Sequence, residues 1–129
     1  MVIKMTNKDE NFYNYMGRFF GSRLVEKQMN DRMYDDDNKE WYLCIEEEKV
    51  KAFVSIHDEV IKNIYTTKEE YLEEVLKRIV KQKKIITFSI VTNKYIDTYE
   101  KCGFKIGNNK DYKNFTTIYI DRLPTPLLD

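Results

Sequence analysis

The sequence predicts an α/β (α+β) domain built on a mixed, mostly antiparallel central sheet of six or seven strands, with four helices. Apolar residues recur at helical spacing up to about residue 33, and from residue 41 they alternate as they do in strands. Three strand-like runs then follow one another across short charged turns, which is typical of an antiparallel meander. A strand–helix–strand unit comes next and implies a crossover between parallel strands. The expected element order is β-α-α-β-β-β-α-β-α-β-β.

Length, charge and cysteine content narrow the class of protein. The chain has 129 residues, the size of one domain, and we expect residues 1–129 to form it, with 121–129 as an extended C-terminal tail. Its 22 basic and 22 acidic side chains cancel, which argues against a dedicated nucleic-acid binder. The apolar runs are short and the N-terminus is polar, so neither a membrane span nor a signal peptide is expected. Two cysteines indicate a reducing, cytoplasmic location rather than a disulfide framework.

Two helices are predicted in the first third of the chain. The first begins at Asn7, which precedes Glu10 by the spacing of a capping box, and it ends at Gly21. Ser22 is placed to cap the second helix, which the acidic residues 35–38 end. The apolar positions of this second helix are Leu24, Val25, Met29 and Met33.

The longest helix follows the third meander strand. Thr66 and Thr67 each precede a glutamate by three residues, as in a capping box at a helix start. A shorter helix over residues 93–102 closes at Gly103. Between the two helices, residues 85–91 form a strand apolar enough to be central in the sheet. The other strands are expected at residues 2–4, 41–46, 50–56, 60–65, 104–106 and 114–121.

The segment Tyr-Glu-Lys-Cys-Gly-Phe, residues 99–104, ends the shorter helix and opens the next strand. Together with the element order, it resembles the GNAT N-acetyltransferase superfamily, in which a Tyr-Glu-Lys-x-Gly-Phe segment occupies this place. The resemblance covers residues 2–121 by element order and about residues 60–105 by motif. It implies that an acetyl group moves from acetyl-CoA to a primary amine, on a small molecule or a protein, by direct attack in a ternary complex.

The resemblance also implies roles for individual residues. In such folds the fourth strand and the strand after the central helix splay apart, and the pantetheine arm of acetyl-CoA lies in the gap. The backbone N–H groups at the helix start hold the pyrophosphate. Tyr99 takes the position of the general acid that protonates the leaving thiolate. The residues expected to bind the donor are Ile64, Tyr65, Thr66, Thr67, Lys68 and Asn93.

The acidic loop after the second helix is the candidate for contact with the acceptor. In folds of this type the region after the first helices often lines the acceptor pocket, and negative charge attracts a cationic amine. The candidates are Tyr34, Asp35, Asp36 and Asp37, for which a solvated loop without function is the other interpretation. No metal is expected, because the acidic spacing does not match an EF-hand loop and one histidine with two distant cysteines does not make a zinc site.

Several alternatives stay open. The stretch 65–72 contains no glycine and places Glu69 and Glu70 where the pyrophosphate is expected, so a GNAT-fold module that has lost catalysis and acts through protein–protein interaction is the alternative function. Tyr99 forms an inward stripe with Tyr95, which as core packing needs no function. A different α/β fold with a chance motif match is a third interpretation.

The general base and the oligomeric state are not determined by the sequence. No carboxylate in the predicted strands is placed as a base, and Asn63 and Ser89 are the polar residues in the middle of theirs. The leucines and prolines of residues 123–128 offer a surface for a partner subunit, so the sequence allows a homodimer.

Overall fold

The computed structural model of the chain describes residues 1–107 and 113–121. Within them lie seven strands, four α-helices and two single-turn 3₁₀ helices, in the predicted order. The strands are β1 (Val2–Met5), β2 (Glu40–Glu46), β3 (Lys49–His57), β4 (Val60–Thr66), β5 (Ile85–Thr92), β6 (Lys105–Ile106) and β7 (Phe115–Asp121). The α-helices are α1 (Phe12–Met16), α2 (Arg23–Met29), α3 (Glu69–Gln82) and α4 (Ile96–Lys101), and the 3₁₀ turns are Gly17–Phe19 and Asn93–Tyr95. None of the described helices is long and apolar enough to cross a bilayer.

The predicted fold class is confirmed, and the seven described strands divide between two antiparallel sheets. One sheet has the order β1-β2-β3-β4 and the other β5-β7-β6. The sheets meet where β4 and β5 run side by side in the same direction. There the Thr87 N–H donates to the Glu59 carbonyl and the Ile61 N–H donates to Ser89 Oγ, both at 2.8 Å. No ladder joins these two strands among the described residues, and a cavity separates their C-terminal halves.

Helices cover both faces of the first sheet. Side chains alternate between the two faces along each strand, and in β2 and β3 the side chains of both faces are buried. On the face that carries Cys44, α3 buries four apolar side chains, each of which contributes about 1.5–3 kcal/mol on burial. The segment 12–29 covers the other face through an aromatic cluster, in which the rings of Phe53 and Tyr65 stack with centroids 5.2 Å apart. The aromatic cluster consists of Phe12, Phe19, Phe20, Trp41, Phe53 and Tyr65. The buried side chains of α3 are Leu72, Val75, Leu76 and Ile79.

The first helix is shorter than predicted. α1 begins at Phe12 rather than Asn7, has no side-chain cap, and gives way at Gly17 to a 3₁₀ turn. The Asn7 side chain is used elsewhere, since its Nδ2 donates to a carboxylate oxygen of Asp35 at 3.1 Å. The predicted capping box at the first helix is therefore wrong, because a tertiary partner takes the capping residue.

The second helix confirms its predicted cap but ends earlier. Ser22 Oγ accepts a hydrogen bond from the Val25 N–H at 3.3 Å. α2 then stops at Met29, because Asn30 adopts the left-handed conformation with φ 54°. Met33, which was expected on the helix, is buried from the following loop instead.

The start of α3 also differs from the predicted capping box. Its N-cap residue is Lys68, and no side chain caps the helix. Thr66 Oγ1 exchanges hydrogen bonds with the backbone of Lys68, and the Thr67 N–H donates to the Lys51 carbonyl at 2.9 Å. Both threonines therefore fix the turn before the helix, and the first N–H groups of α3 are left without a capping side chain.

β5 is less buried than a central strand. Phe88 and Ile90 leave 67% and 53% of their surfaces exposed. The register with β7 is irregular between Ile86 and Ser89, and Phe88 falls on the exposed face, with its ring centroid 4.7 Å from that of Tyr119. The apolar run of this strand therefore does not mean burial on both faces.

Candidate active-site cleft

The parting of β4 and β5 creates a cleft with two cavities. The first, the strand cavity, has a volume of about 180 Å³ and lies between the two strands. The second, the helix cavity, has a volume of about 390 Å³ and lies between the start of α3 and the turn before α4. Met29 lines both cavities, so they adjoin at the end of α2. The strand cavity is lined by Met29, Asp31, Lys62, Ile64, Ile90, Val91, Thr92 and Phe115, and the helix cavity by Gln28, Met29, Tyr65, Thr66, Thr67, Lys94 and Tyr95.

The structure brings four of the six predicted donor-binding residues to the cleft. Tyr65, Thr66 and Thr67 line the helix cavity, and Ile64 lines the strand cavity. Lys68 is exposed at the N-cap of α3 and lines neither. The two strands that flank the cleft are those that the resemblance implies, and the binding role of these residues stays a prediction.

Asn93, the sixth residue predicted to bind acetyl-CoA, holds the turn before α4 against the start of β7. Its N–H donates to the Asn114 carbonyl and its Nδ2 to the Lys113 carbonyl, both at 3.1 Å. It lines neither cavity. Its neighbour Lys94 faces the helix cavity, and Lys94 Nζ donates to the Gln28 carbonyl at 2.9 Å. This Lys94–Gln28 bridge links α2 to the turn before α4 across the cleft.

Tyr99 lies in α4 and is fully buried. Its hydroxyl donates to the Thr92 carbonyl at 2.8 Å, and Thr92 in turn lines the strand cavity. Burial, with a smaller contribution from Tyr95, raises the pKa of the Tyr99 phenol far above its ordinary value. The Tyr99 hydroxyl therefore keeps its proton throughout the physiological pH range. It is connected to the strand cavity through its hydrogen bond to Thr92.

The acidic loop lies apart from the cleft. Asp35 accepts hydrogen bonds from Trp41 Nε1 at 2.9 Å and from Asn7 Nδ2 at 3.1 Å, so its carboxylate anchors the loop. Asp36 lies 3.8 Å from the Lys39 ammonium, and Asp37 is exposed. Tyr34, Asp35, Asp36 and Asp37 line neither cavity.

Lys39 is a buried cation that the sequence did not single out. Its Nζ donates to the Tyr34 carbonyl at 2.8 Å and to Asn63 Oδ1 at 3.0 Å. Asn63 Oδ1 also accepts from Ser55 Oγ at 2.7 Å. Burial lowers the pKa of Lys39, and the carboxylates of Asp36 and Asp35 act in the opposite direction. This network holds the loop after α2 against β3 and β4.

Asp31 and Lys62 face the strand cavity and were also missed. Asp31 is half-buried, and burial raises the pKa of its carboxyl, although hydrogen bonds from the Arg32 backbone and the Asn63 side chain lower it. Lys62 is exposed on β4. Lys62 could have been found from the sequence, because it is the one charged residue of β4. Asp31 could not have been found in this way, because its place at the cavity depends on the conformation of the loop after α2.

Comparison with known proteins identifies the fold. No family model matches the sequence, and no curated protein matches it significantly. An N-acetyltransferase from Staphylococcus aureus Mu50 superposes with a TM-score of 0.63 at 16% identity, over 94% of this chain and 96% of the other. A Bacillus subtilis acetyltransferase in complex with CoA gives a TM-score of 0.56 at 14% identity, over 95% and 98%.

A GNAT-family acetyltransferase from Bacteroides thetaiotaomicron gives a TM-score of 0.54 at 14% identity, over 96% of this chain and 88% of the other. These superpositions cover 94–96% of this chain. The interpretation as another α/β fold with a chance motif match is therefore wrong. The chain has the fold of the GNAT N-acetyltransferases.

Proposed function

We propose that this protein is an acetyl-CoA-dependent N-acetyltransferase that moves an acetyl group to the nitrogen of a primary amine. One observation carries the proposal: the β4–β5 cleft opens between the starts of α3 and α4, in a fold shared with an acetyltransferase that binds CoA. The proposed unit is the single domain 1–129, of which 108–112 and 122–129 lie outside the described residues. The proposed compartment is the cytoplasm, in line with two free, buried thiols.

In the proposed complex the donor occupies the helix cavity. The pantetheine arm lies beside residues 64–67, and the pyrophosphate lies at the first turn of α3, where N–H groups have no partner within the helix. Lys68 at the N-cap and Lys94 on the opposite wall supply positive charge. Asn93, which begins the turn that bears Lys94, completes that wall. No metal takes part in this scheme.

The proposed chemistry is direct transfer. The amine nitrogen attacks the thioester carbonyl carbon, the C–S bond breaks, and the departing thiolate takes up a proton. Tyr99 is the proposed donor of that proton, supported by its retained proton and by its hydrogen bond to Thr92, a residue of the cavity lining. In this role the Tyr99 hydroxyl releases its hydrogen bond to the Thr92 carbonyl and donates its proton to the thiolate instead. Water accepts the proton that the amine loses.

The acidic loop has a supporting role in this proposal. Because Tyr34 and Asp35, Asp36 and Asp37 do not line the cleft, we assign to them only a long-range attraction for cationic amines. Reversing the charge of the three aspartates should then raise KM for the amine more than it changes kcat. Asp35 also anchors Trp41 and Asp36 pairs with the buried Lys39, so the exposed Asp37 is the cleanest of the three to reverse.

Calorimetric titration with acetyl-CoA and with CoA tests the proposal. We expect saturable binding of both in the micromolar range and a raised Tm, because a ligand that binds only the folded state stabilises it. Mass spectrometry of a mixture with acetyl-CoA and primary amines should then detect acetylated products. No heat and no thermal shift at millimolar ligand would contradict an acetyl-CoA-dependent function.

A catalytically inactive binding module is the second candidate, and specific contacts favour it. Glu69 and Glu70 are exposed at the start of α3, where a diphosphate would lie, and the Lys94–Gln28 bridge already crosses the cleft. The same titration separates the two candidates. A module that acts through protein–protein interaction needs no affinity for acetyl-CoA, whereas micromolar binding contradicts an inert cleft.

A further inference from the structure

We infer that the acceptor is a small amine that also carries a carboxylate, such as a free amino acid with an apolar side chain, held between Asp31 and Lys62 in the strand cavity. The inference rests on the proposed function and adds the class of acceptor. It follows from the charges on the cavity wall, from the partners of those charges, and from the size and lining of the cavity.

The strand cavity has one charge of each sign on its wall. Asp31 comes from the loop after α2, and Lys62 comes from the middle of β4. The two side chains do not form an ion pair with each other, and Lys62 forms none with any residue of 1–107 and 113–121. A ligand with an ammonium and a carboxylate would pair with both, which an amine without an anionic group cannot do.

Asp31 is half-buried, and the backbone beside it is fixed to β4. Asn63 Nδ2 donates to the carbonyl of the next residue, Arg32, at 3.1 Å. The nearest buried cation, Lys39, already donates to the Tyr34 carbonyl and to Asn63 Oδ1. Within residues 1–107 and 113–121 no cation forms an ion pair with the half-buried Asp31 carboxylate, and the ammonium of an acceptor would supply that counter-ion.

The other charges around Asp31 do not change this assignment. Glu26 of α2 acts on Asp31 as a like charge, and Lys39 acts as an opposite charge without donating to it. Glu26 raises the cost of an unpaired Asp31 carboxylate, which strengthens the attraction for an ammonium. Thr92, on the opposite wall, is neutral.

The size and the remaining walls of the cavity indicate what joins the two charged groups. A volume of about 180 Å³ corresponds to about six waters at about 30 Å³ each, so the cavity suits a small molecule. Apart from Asp31, Lys62 and Thr92, its lining is apolar. Because Met29 also lines the helix cavity, an amine at this wall lies close to the proposed donor. The apolar lining residues are Met29, Ile64, Ile90, Val91 and Phe115.

Three amines that differ only at the carboxylate test the inference. Leucine, leucinamide and 3-methylbutylamine share a primary amine and an isobutyl group, and only leucine carries the carboxylate. With acetyl-CoA and the full chain, we expect kcat/KM for leucine to exceed that of either analogue by about tenfold, the size of one charge-assisted contact. Product formation is measured by mass spectrometry. Valine and methionine, each with its amide, repeat the comparison for other apolar side chains.

Two variants connect the preference to the residues. Lys62→Met should lower kcat/KM for leucine by about tenfold and leave 3-methylbutylamine within about twofold, because only the carboxylate contact is lost. Asp31→Asn should lower kcat/KM for all three amines. Lys105→Met, which removes an exposed lysine of β6, is the matched control and should change none of them. CoA affinity of every variant is measured by calorimetry and should stay within about twofold of wild type.

The outcomes separate this inference from the proposed function. If the wild-type chain does not bind CoA, the proposed function fails and the inference fails with it. If CoA binds, the inference alone is overturned by any of three results: equal turnover of amines with and without the carboxylate, an unchanged preference in Lys62→Met, or no acetylation of any amino acid.

Discussion

Asp31 combines a cost to folding with a place in the cleft. Its carboxyl has a pKa above the ordinary value of 3.8, so the folded chain binds that proton more readily than the unfolded chain. Stability is therefore lost as the pH rises from 3.8 through the folded-state pKa. Residues that lower stability in the folded protein are often retained because they are needed for function, and replacing such a residue then stabilises the protein.

We expect Asp31→Asn to raise the free energy of unfolding at pH 7, because the amide removes a half-buried charge and has nearly the same size. The gain over wild type should shrink as the pH falls and vanish below 3.8, where the aspartate is protonated in both states. Urea denaturation at a series of pH values measures the difference. A gain that does not depend on pH would show that charge is not its cause.

Tyr99→Phe separates the two interpretations of that tyrosine. The variant removes the hydrogen bond to the Thr92 carbonyl, and we expect a loss of about 1 kcal/mol of stability in either case. If Tyr99 is the general acid, kcat should also fall by about 10²–10⁴-fold on a verified amine.

The measurement is made well below the Tm of the variant, so that folding does not limit activity. Thr98→Ser, a buried neighbour in α4, serves as a control for repacking of the helix. An unchanged kcat in Tyr99→Phe would leave Tyr99 as a core residue only.

At the scale of elements, both hairpins of the first sheet have strained turns. Glu47 and Glu48 join β2 to β3 with φ of 53° and 63°, and Asp58 and Glu59 join β3 to β4 with φ of 50° and 67°. Two successive left-handed residues form the turn type that favours Asn-Gly. The charged pairs in these turns therefore cost stability relative to Asn-Gly.

The double variant Glu47→Asn with Glu48→Gly should stabilise the chain by about 1 kcal/mol, because the new residues adopt positive φ at lower cost. The urea midpoint should rise with an unchanged slope. The same change in a helix should do the opposite: Glu100→Gly in α4 should destabilise by about 1 kcal/mol. No rise in the turn variant would mean that the wild-type glutamates form compensating contacts.

The elements also show what local sequence can predict. The meander strands lie within one or two residues of their predicted bounds, since alternation and charged turns are local signals. The starts of α1 and α3 differ, because Asn7 is engaged by Asp35 and Thr66 by the backbone of Lys68. A capping residue predicts a helix start only when no nearer or tertiary partner takes its side chain.

For the whole molecule, the charge at the start of α3 determines how well the cleft suits a diphosphate. We expect the double variant Glu69→Gln with Glu70→Gln to bind CoA about 3–30-fold more tightly at low salt, because each of the two negative charges at the helix start is worth about 0.3–1 kcal/mol. The gain should diminish in added salt as screening increases. Calorimetry at two ionic strengths measures it.

The control for this variant removes two acidic charges elsewhere. Glu10→Gln with Asp58→Asn changes the net charge equally, but at the turn before α1 and at the β3–β4 turn. An equal gain in both double variants would assign the effect to net charge alone. No gain in either would place the diphosphate away from α3.

The resemblance carried by the element order and the motif around Tyr99 implies which two strands flank the cleft. The sequence does not indicate which charged side chains line it. The places of Asp31 and of the acidic loop depend on Lys39, whose contact with Asn63 spans 24 residues. Such a contact has no local signature, and it turns Asp35 to Asp37 away from the cavities while bringing Asp31 to one.

The parting of β4 and β5 has a mechanical consequence. The two strands are joined near their N-terminal ends by the hydrogen bonds of Thr87 with Glu59 and of Ile61 with Ser89. A small change in the angle between the strands at that end therefore produces a larger change in the distance between their C-terminal ends. At the C-terminal ends of the strands, the single hydrogen bond between Lys94 and Gln28 joins the turn before α4 to α2. A change in the angle between the two sheets would therefore alter the width available to a ligand, and it would also shift the single apolar core that both sheets share.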